Sequence, residues 1–315
     1  MRHSLAMLDG PAAACTAGRY EQPVPRGLVH RASVSEVFLT NLHQDRADAF
    51  VLSAQWPRGH SYYRSRAGLH DPLLFAETTR QAGLLIGHSG YQVPLGDQFI
   101  LNGLDFDIAD AGLACGSTPT DLLLQARCDN VQRRGQRLVG LDLQVALYRD
   151  LEWVGQARCR FSCVSPAVYR RLRGEVSHRP APDAASLPPV DPAAVGRDSA
   201  ADVVLSPGSR PDTWLLRCDR SHPVLFDHPV DHVPGMVVLE AMRQASLVLT
   251  ADPTAVPLSC RTDFLRFAEL DRPAEVTGRI EARSPDGTTS VRVVLAQDGD
   301  IVAESVLWFR DGAGS

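Results

Sequence analysis

Two stretches of the chain share one pattern of apolar and polar positions. Residues 75–85, FAETTRQAGLL, and residues 239–249, LEAMRQASLVL, are mostly apolar or small, yet each carries Glu, Arg and Gln at i, i+3 and i+4. On a helix that spacing sets the three polar side chains on one face. The pattern predicts helices over about 72–88 and 234–250, begun by Pro72 and Pro234, where a missing N–H costs nothing. After each helix the period changes to strict alternation. LLLQARC, RLVGLDLQVALYRD and WVGQARCRFSCV read as strands in the first half. AEVTGRIEARS, TTSVRVVLAQ and DIVAESVLWFR do so in the second, with Asp286-Gly287 and Asp298-Gly299 as hairpin turns. One helix and then an antiparallel meander, twice over, predicts an α+β fold: two antiparallel sheets, each wrapped around a central helix.

The halves are copies of one domain. Glu77 and Glu240, Arg80 and Arg243, and Gln81 and Gln244 all stand 163 residues apart, as do Val93-Pro94-Leu95 and Val256-Pro257-Leu258. His70 and His232 precede the two helices one residue out of step, and His60 and His222 lie further upstream in each copy. Residues 176–200 are rich in Pro and Ala without an apolar period, which predicts an extended linker. The expected organisation is an N-terminal extension over 1–25, domain one over 26–175, the linker over 176–200 and domain two over 201–315.

Composition narrows the chemistry. All 32 basic residues among the 315 are Arg, and the net charge is −5. The acidic balance argues against nucleic-acid binding. Without Lys, Schiff-base chemistry and a P-loop lysine are excluded. Seven scattered Cys, none in a CxxC pair, predict reduced thiols in a cytoplasmic protein rather than a disulfide frame or a zinc site. No apolar run is long enough to span a membrane, and no signal peptide is expected from the first residues. No metal or cofactor is expected.

A Glu–Arg–Gln trio on a helix that should be buried must be paired or put to use. The second helix adds a distinctive start, Asp231-His232-Val233-Pro234-Gly235-Met236. Its free N–H groups suit a carbonyl oxygen or a developing oxyanion, and Gly235 permits close approach to the backbone.

The second helix, a Pro-Gly followed by LEAMRQAS, resembles the central helix of hot-dog-fold acyl-carrier-protein dehydratases. The histidine usual in those enzymes falls at Phe226, so the likeness is incomplete. Motifs along the whole chain resemble the A-factor biosynthesis (AfsA-type) family more closely: LVHR at 28–31, HDPLLFAETTRQAG at 70–83, DTWLLRCDRSHPVLF at 212–226 and DHVPGMVVLEAMRQA at 231–245. That resemblance implies a tandem hot-dog fold and an acyltransferase. Its donor would be a β-ketoacyl thioester on an acyl carrier protein and its acceptor dihydroxyacetone phosphate. The ester product would close to a butenolide phosphate, the first step toward a γ-butyrolactone or furan signalling molecule.

For that chemistry Glu240, Arg243, Glu77 and His232 are the expected catalytic residues, and Arg80, Gln81, Gln244, His70 and Gly235 the expected substrate-binding ones. Glu240, as a buried carboxylate of raised pKa, is the first candidate base, and Arg243 the first candidate for the phosphate. His70 would face the second helix and His232 the first. Arginines 170, 171 and 173, or 133, 134 and 137, are candidates for a basic patch near the entrance that would meet an acidic carrier protein. A hot-dog dehydratase or thioesterase is the alternative enzyme, and an acyl-ligand sensor the non-catalytic one. A monomer or a homodimer would serve any of these.

Overall fold

The structure, a computed structural model, describes residues 19–174, 187–285 and 287–310. Asp286 and residues 176–186 of the expected linker lie outside the described residues. The first copy contains β1 (Leu39–Arg46), β2 (Ala49–Trp56), α1 (Leu73–Leu85), β3 (Gln98–Ile108), the short α2 (Asp110–Leu113), β4 (Thr120–Arg134), β5 (Arg137–Arg149), β6 (Glu152–Val164) and α3 (Pro166–Arg173). The second contains β7 (Leu205–Pro207), β8 (Thr213–Leu216), α4 (Gly235–Thr250), β9 (Val256–Phe264), β10 (Glu275–Arg283), β11 (Thr288–Gln297) and β12 (Asp300–Arg310).

The two expected sheets are hydrogen-bonded into one. The strand order is β1-β2-β4-β5-β6-β3-β9-β12-β11-β10-β8-β7, which reads as the same six-strand order run outward in both directions. β3 and β9 form the seam, antiparallel, with Leu104 opposite Thr262 and Phe106 opposite Cys260. A pseudo-twofold axis therefore relates the copies, and α1 and α4 lie in the two halves of one curved sheet.

Both helices are buried on nearly every side. Twelve of the thirteen residues of α1 are buried, Glu77 and Gln81 among them. A helix enclosed this way needs an apolar or small surface all round. Gly83 shows how close the sheet comes: a Cβ there would sit 2.8 Å from the Phe161 ring. α1 ends in a π-turn over Ile86–Gly90, whereas α4 ends at Ala251 in a left-handed conformation. Asp298-Gly299 forms the expected hairpin turn, both residues at positive φ.

Residues 187–200, expected in the linker, are folded against the second copy. The Val190 N–H donates to the Leu205 carbonyl at 3.0 Å. Pro192–Val195 form a 3₁₀ turn ended by Gly196 at φ 64°, and Arg197 is buried. The matching turn in copy one is Arg26–Val29, ended by His30 at φ 51° and followed by Arg31.

Candidate active site

Each helix holds one carboxylate between two arginines. Glu77 accepts from Arg80 of its own helix, at 2.8 Å to each oxygen, and from Gln81 at 2.7 Å. The second arginine comes from the turn before β1: Arg31 Nη2 lies 2.6 Å from Glu77 Oε1. Glu240 is held likewise by Arg243 at 2.6 and 2.9 Å, by Gln244 at 2.5 Å and by Arg197 Nη2 at 2.8 Å. Gln81 also donates to the Glu36 carbonyl and accepts from the Phe38 N–H. Gln244 does the same with Asp202 and Val204. The glutamines thus tie each helix to the chain that leads into its half-sheet.

Arg31 and Arg197 also cross the pseudo-axis. Arg31 donates to the Val224 carbonyl of copy two at 3.2 Å, and Arg197 to the Tyr62 carbonyl of copy one at 2.6 Å. Sequence reasoning missed both. Their signal was present, since Val29-His30-Arg31 and Val195-Gly196-Arg197 are the same turn, offset by 166 rather than 163.

Burial alone would push both carboxyls up, as expected from the sequence. The paired arginines outweigh it. Arg31 and Arg80 bring Glu77 down to about 2, and Arg197 and Arg243 bring Glu240 down to about 2. Both are carboxylates at neutral pH with their lone pairs occupied, which makes them anchors for cations rather than ready proton acceptors.

The two ends of the axis differ in what faces the trio. At the Glu77 end a cavity of about 350 Å³ opens. Arg80, Arg31 and His30 lie on one wall, and the start of α4, from His232 through Met236, on another. Leu84, Phe99, Leu101, Phe161, Phe226 and Phe264 supply much of its apolar lining. The Arg80 side chain keeps 21% of its surface exposed. At the Glu240 end Arg243 keeps 8%, and Tyr62 covers Arg197, its ring centre 3.9 Å from the guanidinium carbon. Asp71 stands a further 3.8 Å from Arg197.

The sequence-chosen residues divide accordingly. Arg80, His232 and Gly235 line the cavity, and Glu77 and Gln81 stand directly behind Arg80. Glu240, Arg243 and Gln244 are not on its walls. His70 is buried beside Trp56, its Nε2 3.0 Å from Thr120 Oγ1, and the Leu113 carbonyl covers the chain there. His232 is turned by Asp231, 2.7 Å from its Nδ1, and by an edge contact with Phe267. His60 and His222 are matched structural residues, each accepting two backbone N–H groups at Nδ1.

Cys159 is the one thiol on the cavity wall, and burial pushes it up to about 12, so it is no thiolate nucleophile. Of the basic clusters, Arg173 is buried between Asp231 and Glu269 and Arg137 pairs with Asp97, while Arg170, Arg171, Arg133 and Arg134 are exposed.

The chain forms a tandem hot-dog protein with a largely apolar cavity at one end of its pseudo-axis. The chain belongs to the AfsA family: the model described as "A-factor biosynthesis hotdog domain" matches twice, over residues 15–165 and 178–310. A Streptomyces virginiae protein named 2-oxo-3-(phosphooxy)propyl 3-oxoalkanoate synthase is 43% identical over 92% of this chain and 98% of its own. A Streptomyces coelicolor protein of the same name is 37% identical over 96% of each. Among solved structures, a putative oleoyl thioesterase from Lactobacillus plantarum superposes with a TM-score of 0.55 at 10% identity, covering 85% of this chain and 99% of that one. An acyl-ACP thioesterase from Bacteroides thetaiotaomicron does so with a TM-score of 0.50 at 14% identity, covering 82% and 97%. These two establish the shared fold. Among the described residues no helix is long and apolar enough to cross a membrane.

Proposed function

We propose that the protein transfers a β-ketoacyl group from a thioester to the hydroxyl of dihydroxyacetone phosphate. The product is the ester that the names of its full-length relatives describe, a 2-oxo-3-(phosphooxy)propyl 3-oxoalkanoate. The observation that carries the reading is the pairing of an apolar cavity with two arginines that share one carboxylate. An acyl chain needs the first and a phosphate the second.

The charge balance supports this division. Arg31 and Arg80 are two cations against Glu77. Asp227, on the cavity wall, also acts on Arg31, but its oxygens accept from the Ala32 and Ser33 N–H groups and pair with His228. A phosphate approaching Arg80 meets a guanidinium already oriented by Glu77, and two parallel hydrogen bonds can form without loss of side-chain freedom. The thioester carbonyl belongs at the start of α4. There the N–H groups of Gly235 and Met236 have no partner within the helix, since the first intrahelical bonds run from Val237 and Val238 to the Pro234 carbonyl, and the dipole favours negative charge. Those donors stabilise the oxyanion formed when the hydroxyl attacks.

Transfer is direct on this reading. The alkoxide oxygen forms the new C–O bond, the C–S bond breaks, and no enzyme ester intervenes. The ester's activated methylene, between two carbonyls, then adds to the ketone of the acceptor portion, and loss of the resulting hydroxyl as water gives a butenolide phosphate. An acyl carrier protein is the donor's natural vehicle, with Arg170, Arg171, Arg133 and Arg134 exposed to meet its acidic surface.

The test is one incubation of purified protein with a β-ketoacyl thioester and dihydroxyacetone phosphate, read by mass spectrometry. A phosphorylated ester or butenolide that needs both substrates is expected. Free β-keto acid with no phosphorylated adduct would replace this reading with a thioesterase.

A further inference from the structure

A proton acceptor for the attacking hydroxyl has not been identified so far. Glu77 and Glu240 are each bound by two arginines and a glutamine. The cavity wall offers another group, His30, whose backbone and side chain are both unusual.

His30 sits at φ 51°. That left-handed conformation is disfavoured for a residue with a Cβ. The matching turn in copy two relieves the cost with Gly196 at φ 64°. The chain thus keeps a histidine where its own second copy has a glycine. The side chain points to the cavity, and its Nε2 lies 2.8 Å from Nε2 of His88. Nδ1 of His88 lies 2.8 Å from the Val93 carbonyl oxygen. His88 belongs to the π-turn at the end of α1, a distortion common at functional sites. Its counterpart in copy two, 163 residues on, is Ala251. Both histidines are therefore peculiar to the copy that faces the open cavity.

The chain of bonds fixes the protons. A carbonyl oxygen only accepts, so His88 Nδ1 carries a proton. In a neutral His88 the Nε2 is then the acceptor, and His30 Nε2–H must donate to it. The lone pair of His30 consequently lies on Nδ1, to which the described residues offer no hydrogen bond. This is the arrangement in which a second group holds a catalytic imidazole in its working tautomer.

We infer that His30 is the general base of the transfer and that His88 is its positioning residue. The inference rests on the acyl-transfer reading above. The acceptor's O–H proton passes to His30 Nδ1 as its oxygen bonds to the thioester carbon. The C–S bond then breaks, and the imidazolium returns the proton to the departing sulfur. The thiol leaves, and His30 is neutral again. Arg80 stands beside His30, as do His228, Asp227 and His232 from the loop before α4 and Phe99 from β3. Burial chiefly, then Arg80, His88 and His228, hold His30 down to about 3, so it is neutral when substrate arrives. A phosphate bound at Arg80 offsets that cation and raises the basicity of His30 when it is needed. Acceptor binding and base strength are thereby coupled.

The variant for the test is His30→Gly, which suits the left-handed position and leaves room for free imidazole. Ester formation by wild type and variant is followed against pH, with and without added imidazole. The expected kcat loss is about 10²–10⁴-fold with no fall in melting temperature. Imidazole should restore part of it, and the acid limb of the restored kcat profile should move up to that of free imidazole. His88→Gln, whose amide can both accept from His30 and donate to Val93, should keep most of the rate that His88→Leu loses. Ester formation by His30→Gly within a few-fold of wild type overturns the inference and leaves the transferase reading intact. So does a loss that appears in KM for dihydroxyacetone phosphate and is insensitive to imidazole. If wild type forms no ester, both readings fall together.

Discussion

The Glu77 and Glu240 ends of the molecule start from the same helix, the same trio and the same crossing arginine. Besides His88 at one helix end, they differ in three places around that shared frame. Tyr62 over Arg197 stands where Val224 lies over Arg31, Asp71 where Val233 lies, and Gly196 where His30 lies. At the Glu240 end two cations face two carboxylates, and an aromatic ring fills the remaining space. At the Glu77 end the two cations have one carboxylate within ion-pair distance, Asp227 acting on Arg31 only from further off, and the space stays open. The comparison separates what a buried ion cluster needs for stability from what it needs to bind an anion. Full neutralisation with a stacked ring makes a structural node. One missing carboxylate and one missing ring leave a receptor.

Acid should produce the largest effect, because it attacks both ends at once. Both glutamates lie at about 2 when folded, against 4.5 in an unfolded chain. Their contribution is present above pH 4.5 and is lost as the pH falls toward 2, about 3 kcal/mol from each. Denaturant unfolding followed across that window should show the loss, and Glu77→Gln and Glu240→Gln should each remove only their own share. A stability that is flat through the window would mean that neither cluster holds the fold.

Deleting one carboxylate comes next. Glu240→Ala strands Arg197 and Arg243 in a sealed site and should cost about 3–5 kcal/mol. Glu77→Ala should cost less, roughly 2–3 kcal/mol, since Arg80 can turn into the open cavity. Chemical denaturation of the pair orders them. A Glu240→Ala protein as stable as wild type yet inactive would exchange the roles of the two ends.

The arginines should separate by type of effect. Arg80→Gln should raise KM for dihydroxyacetone phosphate about 10–100-fold, the worth of a charged hydrogen-bond pair, with a smaller change in kcat. Arg243→Gln should instead lower the melting temperature and leave that KM alone. Steady-state kinetics with varied acceptor decides the point. The change with the least effect on turnover is Tyr62→Val, which copies Val224 into the closed end. It should cost about 2–3 kcal/mol for the lost ring and leave turnover intact.

Much of this was legible in the sequence because it repeats locally. The 163-residue offset fixes both helices, and the i, i+3, i+4 trio survives in each because one face of each helix must hold its carboxylate. The meander was readable wherever strands alternate, as in 137–149 and 300–310. Joining across distance was not readable. The seam between β3 and β9 pairs residues as far apart as Gly103 and Asp263, and nothing in either strand names its partner. Arg31 and Arg197 were hidden by a different offset, and Arg197 by a Pro- and Ala-rich stretch that resembles a linker. The choice between ends was hidden as well. The Pro-Gly start of α4 pointed to Glu240 six residues on, yet that helix start lies across the cavity from Arg80 of the other helix. His30 and His88 are 58 residues apart, and only the folded chain brings them within hydrogen-bonding distance.

The covalent continuity of the two copies has a consequence for how such a site can change. In a homodimer of single hot-dog chains every substitution appears twice, so a tyrosine that plugs one end plugs both. A histidine that strains one turn likewise strains two. Fusion of the copies into one chain removes that constraint. One end is free to become rigid ballast while the other gathers a strained turn, a distorted helix end and an unbalanced charge. The stoichiometry should record this history as one acceptor bound per chain of 34.3 kDa, half the number that the internal symmetry suggests.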